Sequence, residues 1–131
     1  LYGFDQDAVA IETARVRLSK ISPQFTLIHT NFRNMKQELK NRGIKKVDGI
    51  LFDLGVSSYQ FDNGERGFSY NHDAVLDMRM DKRQEFNAYT LVNTWPEKDI
   101  VEILFKYGEE KFAKQIISNY SISYNIHQNH T

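Results

Sequence analysis

The sequence predicts an α/β fold whose core is a doubly wound, largely parallel sheet. Short apolar segments alternate with amphipathic helical segments through residues 1–52, and this alternation is typical of parallel strands joined by right-handed helical crossovers. Residues 47–52 are mostly apolar, as expected for a parallel strand covered by helices on both faces. With 131 residues, 40% of them hydrophobic and 26% charged, the chain has the composition of a globular domain or of part of one.

The first predicted unit is a strand over residues 1–4 followed by a helix from Asp7 to about Lys20. The Asp7 carboxylate can accept hydrogen bonds from the free amide groups of the first helical turn. Three apolar residues recur at the spacing of one buried helical face: Ile11, Ala14 and Leu18. Pro23 ends the unit because proline disfavours the helical conformation of the residue before it.

The second predicted unit is a strand over residues 25–29 and a helix over residues 34–42. Met35 and Leu39 lie on one face of that helix, and Gly43 follows it as helix-terminating glycines commonly do. The third strand comes next, and residues 54–81 after it lack any regular pattern. A segment this long without periodicity is usually functional or disordered. Because this one is rich in glycine, aromatic residues and paired charges, we expect an ordered functional loop.

After the loop the sequence predicts two consecutive helices, which we interpret as the start of an inserted helical lobe. Thr94 and Glu97 have the spacing of a capping box. Four apolar residues form the stripe of the first helix: Ile100, Ile103, Leu104 and Tyr107. Gly108 ends that helix, and the second runs from Glu109 to about Ile117. Its predicted inward residues are Phe112, Ala113 and Ile116.

Residues 118–131 are polar and carry no apolar stripe, so we expect a frayed end. His127 and His130 have a spacing that can bind a metal ion, but their place near the terminus favours a frayed segment. At the other terminus the sequence enters a predicted strand directly at Leu1, without a methionine. We therefore expect the chain to be an internal fragment of a longer protein.

Composition excludes several classes of function. Cysteine is absent, which rules out disulfide scaffolds, thiolate metal sites and cysteine nucleophiles. Lys and Arg together number 17, as do Asp and Glu, so no strong overall field attracts nucleic acid. No apolar run reaches the ~18 residues of a membrane span, and we expect no membrane partner.

Candidate ligand-binding residues follow the predicted strands, where doubly wound folds bind their ligands. Asp5 ends the first strand and can accept hydrogen bonds from ribose hydroxyls, or can act as a surface acid or a competing cap. Phe32 follows the second strand, where its ring can pack on adenine or fill the core. Asp53 ends the most apolar strand, and a carboxylate that emerges at such a crevice favours a functional role.

The segment that begins at Asp53 closely resembles the RsmH (MraW) family. The motifs that carry the resemblance are DLGVSSYQ at 53–60, ERGFSY at 65–70 and LDMRMD at 76–81. Shorter matches are FDQD at 4–7, NF at 31–32 and YGEEKFAK at 107–114. The resemblance therefore covers residues 1 to about 117, and the long loop is its most specific part.

This resemblance implies a class I, S-adenosylmethionine-dependent methyltransferase with a Rossmann-like sheet. Such enzymes methylate N4 of a cytosine in the small-subunit (16S) ribosomal RNA of bacteria, which implies a cytoplasmic location and the small ribosomal subunit as partner. By resemblance, four residues match positions that contact S-adenosylmethionine: Asp5, Phe32, Asp53 and Gln60. Residues 1–86 correspond to part of the cofactor-binding domain, and residues 87–131 to part of a helical insertion implicated in RNA recognition.

The chemistry of this reaction suggests further roles. An acceptor such as Asp53 can hold the cytosine amine in an attacking geometry and take its proton late. Arg66 and Arg79 can hold RNA phosphate; the alternative for both is an ion pair with one of three neighbouring acids: Glu65, Asp77 or Asp81. A target base that leaves its stack can pack on one of three aromatic rings: Phe61, Phe68 or Tyr70.

Two other functions remain open from the sequence. One is a different nucleotide-cofactor enzyme with a Rossmann fold, such as a nicotinamide dehydrogenase, in which Asp5 would also hold ribose. The other is a non-catalytic RNA-binding or assembly module. The loop after Asp53 favours the methyltransferase, because it supplies no constellation for hydride transfer. The tail after Ile117 lacks the basic residues usual in the family, and no glycine-rich turn precedes Asp5, so we expect the isolated chain to be inactive.

Overall fold

The chain begins with two parallel strands and a helix between them that packs on both strands. The computed structural model describes the backbone of residues 1–128 and the side chains of residues 1–120. Its strands and α-helices are, in chain order, β1 (Tyr2–Asp5), α1 (Ala8–Leu18), β2 (Thr26–His29), α2 (Met35–Asn41), α3 (Ser58–Asp62), α4 (Ala88–Thr94), α5 (Glu97–Gly108) and α6 (Ala113–Gln128). Two short 3₁₀ turns lie at Phe32–Asn34 and Gly64–Arg66.

The β1–α1–β2 unit confirms the predicted α/β class. β1 pairs with β2 in parallel, with Tyr2 opposite Thr26 and Asp5 opposite His29. Helix α1 packs on both strands. Asp7 caps α1 as predicted, because its carboxylate accepts a hydrogen bond from the Val9 amide at 2.9 Å. The helix ends at Leu18, two residues earlier than the sequence predicted.

The predicted third strand is wrong. Residues 47–52 have no regular secondary structure, and Leu51 is 92% exposed. Within the described residues, β1 and β2 form a two-stranded sheet with each other. A strand needs a neighbour to satisfy its backbone hydrogen bonds, so an apolar run without one stays irregular however suitable its composition.

The long loop is ordered, as expected, but it contains helix α3, which the sequence did not predict. Ser57 and Gln60 form a capping box at the start of this helix. Further along, the Met78 amide donates to the Arg66 carbonyl at 3.0 Å, and the Tyr89 amide donates to the Leu76 carbonyl at 2.7 Å. These bonds fold the second half of the loop back on the 3₁₀ turn and join it to α4.

Helices α5 and α6 pack against each other in the predicted helical lobe. Ile100, Ala113 and Ile117 are buried there. Three of the predicted inward residues are instead exposed: Tyr107, Phe112 and Ile116. Helix α6 begins at Ala113 rather than at Glu109, because Glu109 adopts a left-handed conformation with φ 52° that an α-helix does not contain.

Two further expectations about this region are also wrong. Thr94 is the last residue of α4, and its hydroxyl donates to the Thr90 carbonyl at 2.7 Å instead of forming a capping box with Glu97. The tail is not frayed throughout, since α6 continues to Gln128. Once a helix is nucleated by packing, each added residue gains a hydrogen bond at low entropic cost. The side chain of His127 and all of His130 lie outside the described residues.

Candidate active site

The residues that follow β1 and β2 are held together at one edge of the sheet. Nε2 of His29 lies 3.0 Å from the Gln6 carbonyl oxygen. The side-chain amide of Asn31 donates to Oε1 of Gln6 at 2.8 Å. The parallel register places Asp5 opposite His29, so these contacts build one polar surface at the carboxyl ends of both strands.

Asp5 lies exposed on this surface. One of its carboxylate oxygens accepts a hydrogen bond from the Asp7 backbone amide at 2.7 Å. An ionised carboxylate offers about four acceptor positions. The bond therefore orients the group and leaves capacity for the hydroxyl groups of a ligand.

Phe32 and Asp53 are brought to the same region by an aromatic contact. The rings of Phe32 and Phe52 meet edge to face, with centroids 5.8 Å apart and an angle of 77° between the planes. Phe32 is 46% exposed, so its ring does not simply fill the core. Asp53 follows Phe52 directly and is exposed, although the strand expected to position it is not formed.

Asp7, Gln60 and Arg66 form a buried polar cluster, with 4%, 5% and 3% of their surface exposed. Oδ2 of Asp7 accepts hydrogen bonds from Nε2 of Gln60 at 2.7 Å and from Nη2 of Arg66 at 2.8 Å. The capping box of α3 completes the cluster, because Oε1 of Gln60 accepts from the Ser57 amide at 3.0 Å. The cluster thus joins the start of α1 to the long loop.

The charge of Asp7 is stabilised within this cluster. Burial by itself would raise the pKa of the carboxyl group. The hydrogen bonds from Arg66, Gln60 and the Val9 amide outweigh that effect and hold the pKa below its ordinary value. Asp7 is therefore ionised at neutral pH and forms a true ion pair with Arg66.

The partner of Arg66 is not one of the three acids that the sequence suggested. Its guanidinium pairs with Asp7, which lies 59 residues away in the chain, and also donates to the Arg79 carbonyl at 2.9 Å. The ring of Phe68 lies 5.8 Å from the centre of the guanidinium. Spacing in the sequence could not reveal this pair, because the acid nearest to Arg66 in the sequence is Glu65, whereas its partner Asp7 is brought to it by the fold.

Arg79 forms the ion pair that the sequence left open as an alternative. Its guanidinium donates to both oxygens of Asp77, at 2.7 and 2.8 Å, and to the Gln84 carbonyl at 2.6 Å. The hydrogen bonds from Arg79 to Asp77 lower the pKa of Asp77 to about 2. The Arg79 side chain is 23% exposed, and contact of either arginine with RNA stays a prediction.

A cavity of about 340 Å³ is lined by loop residues, several of them aromatic. Phe61, Phe68 and Tyr70 line it together with His72. The rings of Phe61 and Phe68 meet at a centroid distance of 6.4 Å, and Tyr70 is 98% exposed. The three rings considered for base stacking are therefore grouped around one opening.

The sequence of this chain is similar to that of a known family of proteins. The model of the MraW methylase family matches residues 1–128. Proteins named ribosomal RNA small subunit methyltransferase H are 62% identical in Exiguobacterium sibiricum and 57% identical in Oceanobacillus iheyensis, each over 116 residues. The protein of that name from Lactiplantibacillus plantarum is 55% identical over 118 residues. Each comparison covers 88% of this chain but only 36–37% of the relative.

Proposed function

The chain belongs to the MraW methylase family, and we propose that it is part of an S-adenosylmethionine-dependent methyltransferase acting on small-subunit ribosomal RNA. The observation that carries the proposal is the family match over residues 1–128. The exposed and oriented carboxylate of Asp5 at the end of β1 supports it. The chain spans about 37% of the length of the curated relatives it matches, so we assign it a part of the activity only.

We place the β1–α1–β2 unit within a Rossmann-like doubly wound sheet. In that strand order the second and third strands lie on one side of the first strand, and the fourth lies on the other side. If β1 and β2 take the second and third positions, residues 47–52 would take the fourth. The first strand of the order, which this chain does not supply, would then lie between β1 and residues 47–52. Without that strand residues 47–52 have no neighbour to pair with, which would account for their irregular backbone and for the exposure of Leu51.

The residues at this edge fit the cofactor. Asp5 would accept hydrogen bonds from the ribose hydroxyls, and the half-exposed ring of Phe32 would pack on adenine. Gln60 is buried and already bonds Asp7 and Ser57, so a cofactor contact would use its remaining amide hydrogen or oxygen lone pair. When bound, S-adenosylmethionine would supply an electrophilic methyl group on its sulfonium.

Asp53 would act on the nucleophile. The lone pair of a cytosine exocyclic amine is delocalised into the ring, so the enzyme has to orient the amine and remove a proton. The exposed carboxylate of Asp53 would accept a hydrogen bond from N4 and take that proton, while the methyl group would pass from sulfur to nitrogen and the electron pair of the broken carbon–sulfur bond would stay on sulfur. Asp53 is therefore our candidate for the catalytic residue, and N4 of cytosine for the methylated atom.

The rest of the loop and the helical lobe would bind RNA. A base acted on by an enzyme generally leaves its stack, and the rings of Phe61 and Tyr70 can stack on it. Arg79 keeps part of its guanidinium at the surface, where it can meet phosphate. We expect the whole protein to act in the cytoplasm, where ribosomal subunits are assembled.

Product analysis with the whole protein tests this function. The protein that contains this chain is incubated with methyl-labelled S-adenosylmethionine and small ribosomal subunits, and the digested RNA is analysed by mass spectrometry. We expect label in N4-methylcytidine, and none when the cofactor is omitted. Binding of RNA without any transfer would favour the non-catalytic module, and label on another atom would contradict the assigned product.

A further inference from the structure

The Asp7–Arg66 ion pair is unusual because it is almost fully buried. Both residues are less than 5% exposed, and their charges lie 2.8 Å apart. Removing each charge from water costs several kcal/mol, and the attraction between the two charges does little more than offset that cost, so a buried ion pair is weak evidence for a role in stability alone. Its value lies in the geometry that it imposes on its neighbours.

One of those neighbours is Asp5. The carboxylate of Asp7 is held by Arg66, while the backbone amide of Asp7 donates to Oδ1 of Asp5 at 2.7 Å. The side chain of Asp7 therefore forms the ion pair with Arg66, and its backbone amide orients Asp5. A shift of the Asp7 backbone that followed loss of this anchor would move the amide that orients the Asp5 carboxylate.

Gln60 is the second neighbour. Its amide nitrogen donates to the Asp7 oxygen that also accepts from Arg66, and its amide oxygen accepts from Ser57. Both ends of the amide are thus fixed, and its orientation depends on where Arg66 holds Asp7. Asp5 and Gln60, two of the candidate cofactor-binding residues, are therefore both hydrogen-bonded to Asp7.

The guanidinium reaches a third segment as well. Nη2 of Arg66 donates to the Arg79 carbonyl at 2.9 Å, so one side chain joins the β1–α1 turn to both the first and the last part of the long loop. A planar guanidinium has five donors and can serve several acceptors together. Lysine keeps the charge but lacks this fork.

We propose that Arg66 is a positioning residue for the cofactor site, which acts through Asp7 to orient Asp5 and Gln60. This proposal rests on the S-adenosylmethionine-binding function proposed above. It implies that Arg66 and Asp5 contribute to cofactor affinity through one shared arrangement rather than separately.

A double-mutant cycle in the whole protein tests the proposal. Binding of S-adenosylmethionine is measured by calorimetry for Arg66→Met, Asp5→Ala and the double variant, at a temperature where each is folded by circular dichroism. We expect Arg66→Met to weaken binding about tenfold or more in the unsubstituted protein, and about threefold or less when Asp5 is already alanine. A residue that only stabilises the fold would lower the melting temperature without this non-additivity.

Two further variants make the result decisive. Arg83→Met removes another aspartate-paired arginine of the same region, whose side chain is 58% exposed, and should change cofactor affinity by less than about twofold. Arg66→Lys keeps the buried charge and replaces Arg66→Met in the cycle if the latter does not fold. For this variant we expect the affinity for S-adenosylmethionine to fall about threefold to tenfold in the unsubstituted protein, and to fall less when Asp5 is already alanine.

Two outcomes would overturn the positioning role: unchanged affinity in the Arg66 variant, or equal losses in both backgrounds. Failure of the unsubstituted protein to bind S-adenosylmethionine is a different result. It would overturn the proposed function itself, on which the role of Arg66 rests.

Discussion

Asp5 is an exposed carboxylate that accepts a hydrogen bond from the backbone amide of Asp7, and we propose that it also binds a pair of ribose hydroxyls. In the whole protein, Asp5→Ala should weaken S-adenosylmethionine binding by about 1.5–3 kcal/mol, since hydrogen bonds to a charged group have that strength. Calorimetric titration measures the change. Asp48→Ala, at another exposed acid, is the matched control and should bind normally; an unchanged affinity for Asp5→Ala would refute the ribose assignment.

Asp53 should act on the reaction more than on cofactor binding. Asp53→Asn keeps the shape of the side chain but removes its negative charge and its ability to take a proton. We expect the single-turnover methylation rate to fall by far more than cofactor affinity, because the group acts at the reacting centre. If the variant loses affinity alone and its bound complex reacts normally, Asp53 is a binding residue.

The Asp77–Arg79 pair predicts a dependence of stability on pH. The folded-state pKa of Asp77 is lowered from 3.8 to about 2, so the pair stabilises the protein above about pH 4 and this contribution is lost as pH falls toward 2. Asp77→Asn should therefore cost about 1 kcal/mol of unfolding free energy at pH 7, after allowance for solvent screening, and much less near pH 2. Urea unfolding at both pH values measures this, and an equal loss at both would contradict it.

Residues differ in how far sequence could predict their surroundings. Asp5 and Asp53 are candidates because each directly follows an apolar segment, and Phe32 because it lies three residues after the second predicted strand; these are local features of the sequence. The pairing of Arg66 with Asp7 could not be predicted in this way, because the partner lies 59 residues away and the fold brings the two together. Long-range partners of this kind depend on tertiary packing, which periodicity does not encode.

The same distinction holds for helices and strands. Helix α1 was predicted well because its cap at Asp7 and its apolar stripe are local signals. The strand over residues 47–52 was not, because a strand exists only with a neighbour. The start of α6 was missed because the left-handed conformation of Glu109 is uncommon for a residue other than glycine.

Gly67 allows the loop to close on itself. Its φ of 71° lies in the left-handed region, and a Cβ atom there would come within 2.5 Å of the Val75 carbonyl oxygen and 2.6 Å of the Asp77 amide nitrogen. Gly67→Ala should therefore destabilise the protein by more than the ~1–2 kcal/mol that the backbone conformation alone costs. Urea unfolding measures the change in free energy.

Gly43 provides a matched control for that experiment. Its φ of 74° is nearly the same, but a Cβ atom there would meet nothing within 4 Å. Gly43→Ala should show the conformational cost without the clash. Equal losses for the two variants would mean that the second half of the loop does not press against Gly67.

At the scale of the whole molecule, much apolar surface is left uncovered. Among the described residues, few apolar side chains are buried: Ile11, Ile28, Ile100, Ala113 and Ile117. Ile50, Leu51 and Phe52 are all more than half exposed, next to the edge assigned to the cofactor. We expect this surface to be covered in the longer proteins of the family, of which the chain matches about 37%.

The last prediction concerns the 131-residue chain on its own, which we expect to be inactive as a methyltransferase. It carries candidate contacts for the ribose and adenine but no glycine-rich turn before Asp5 to hold the charged methionine end with backbone amides. Loss of several hydrogen bonds at ~0.5–1.5 kcal/mol each would move a micromolar site toward the millimolar range. The purified chain and the whole protein are compared with labelled S-adenosylmethionine and small ribosomal subunits, and only the whole protein should transfer label. Robust methylation by the chain would mean that its own contacts, centred on Asp5 and Gln60, are sufficient to hold the cofactor.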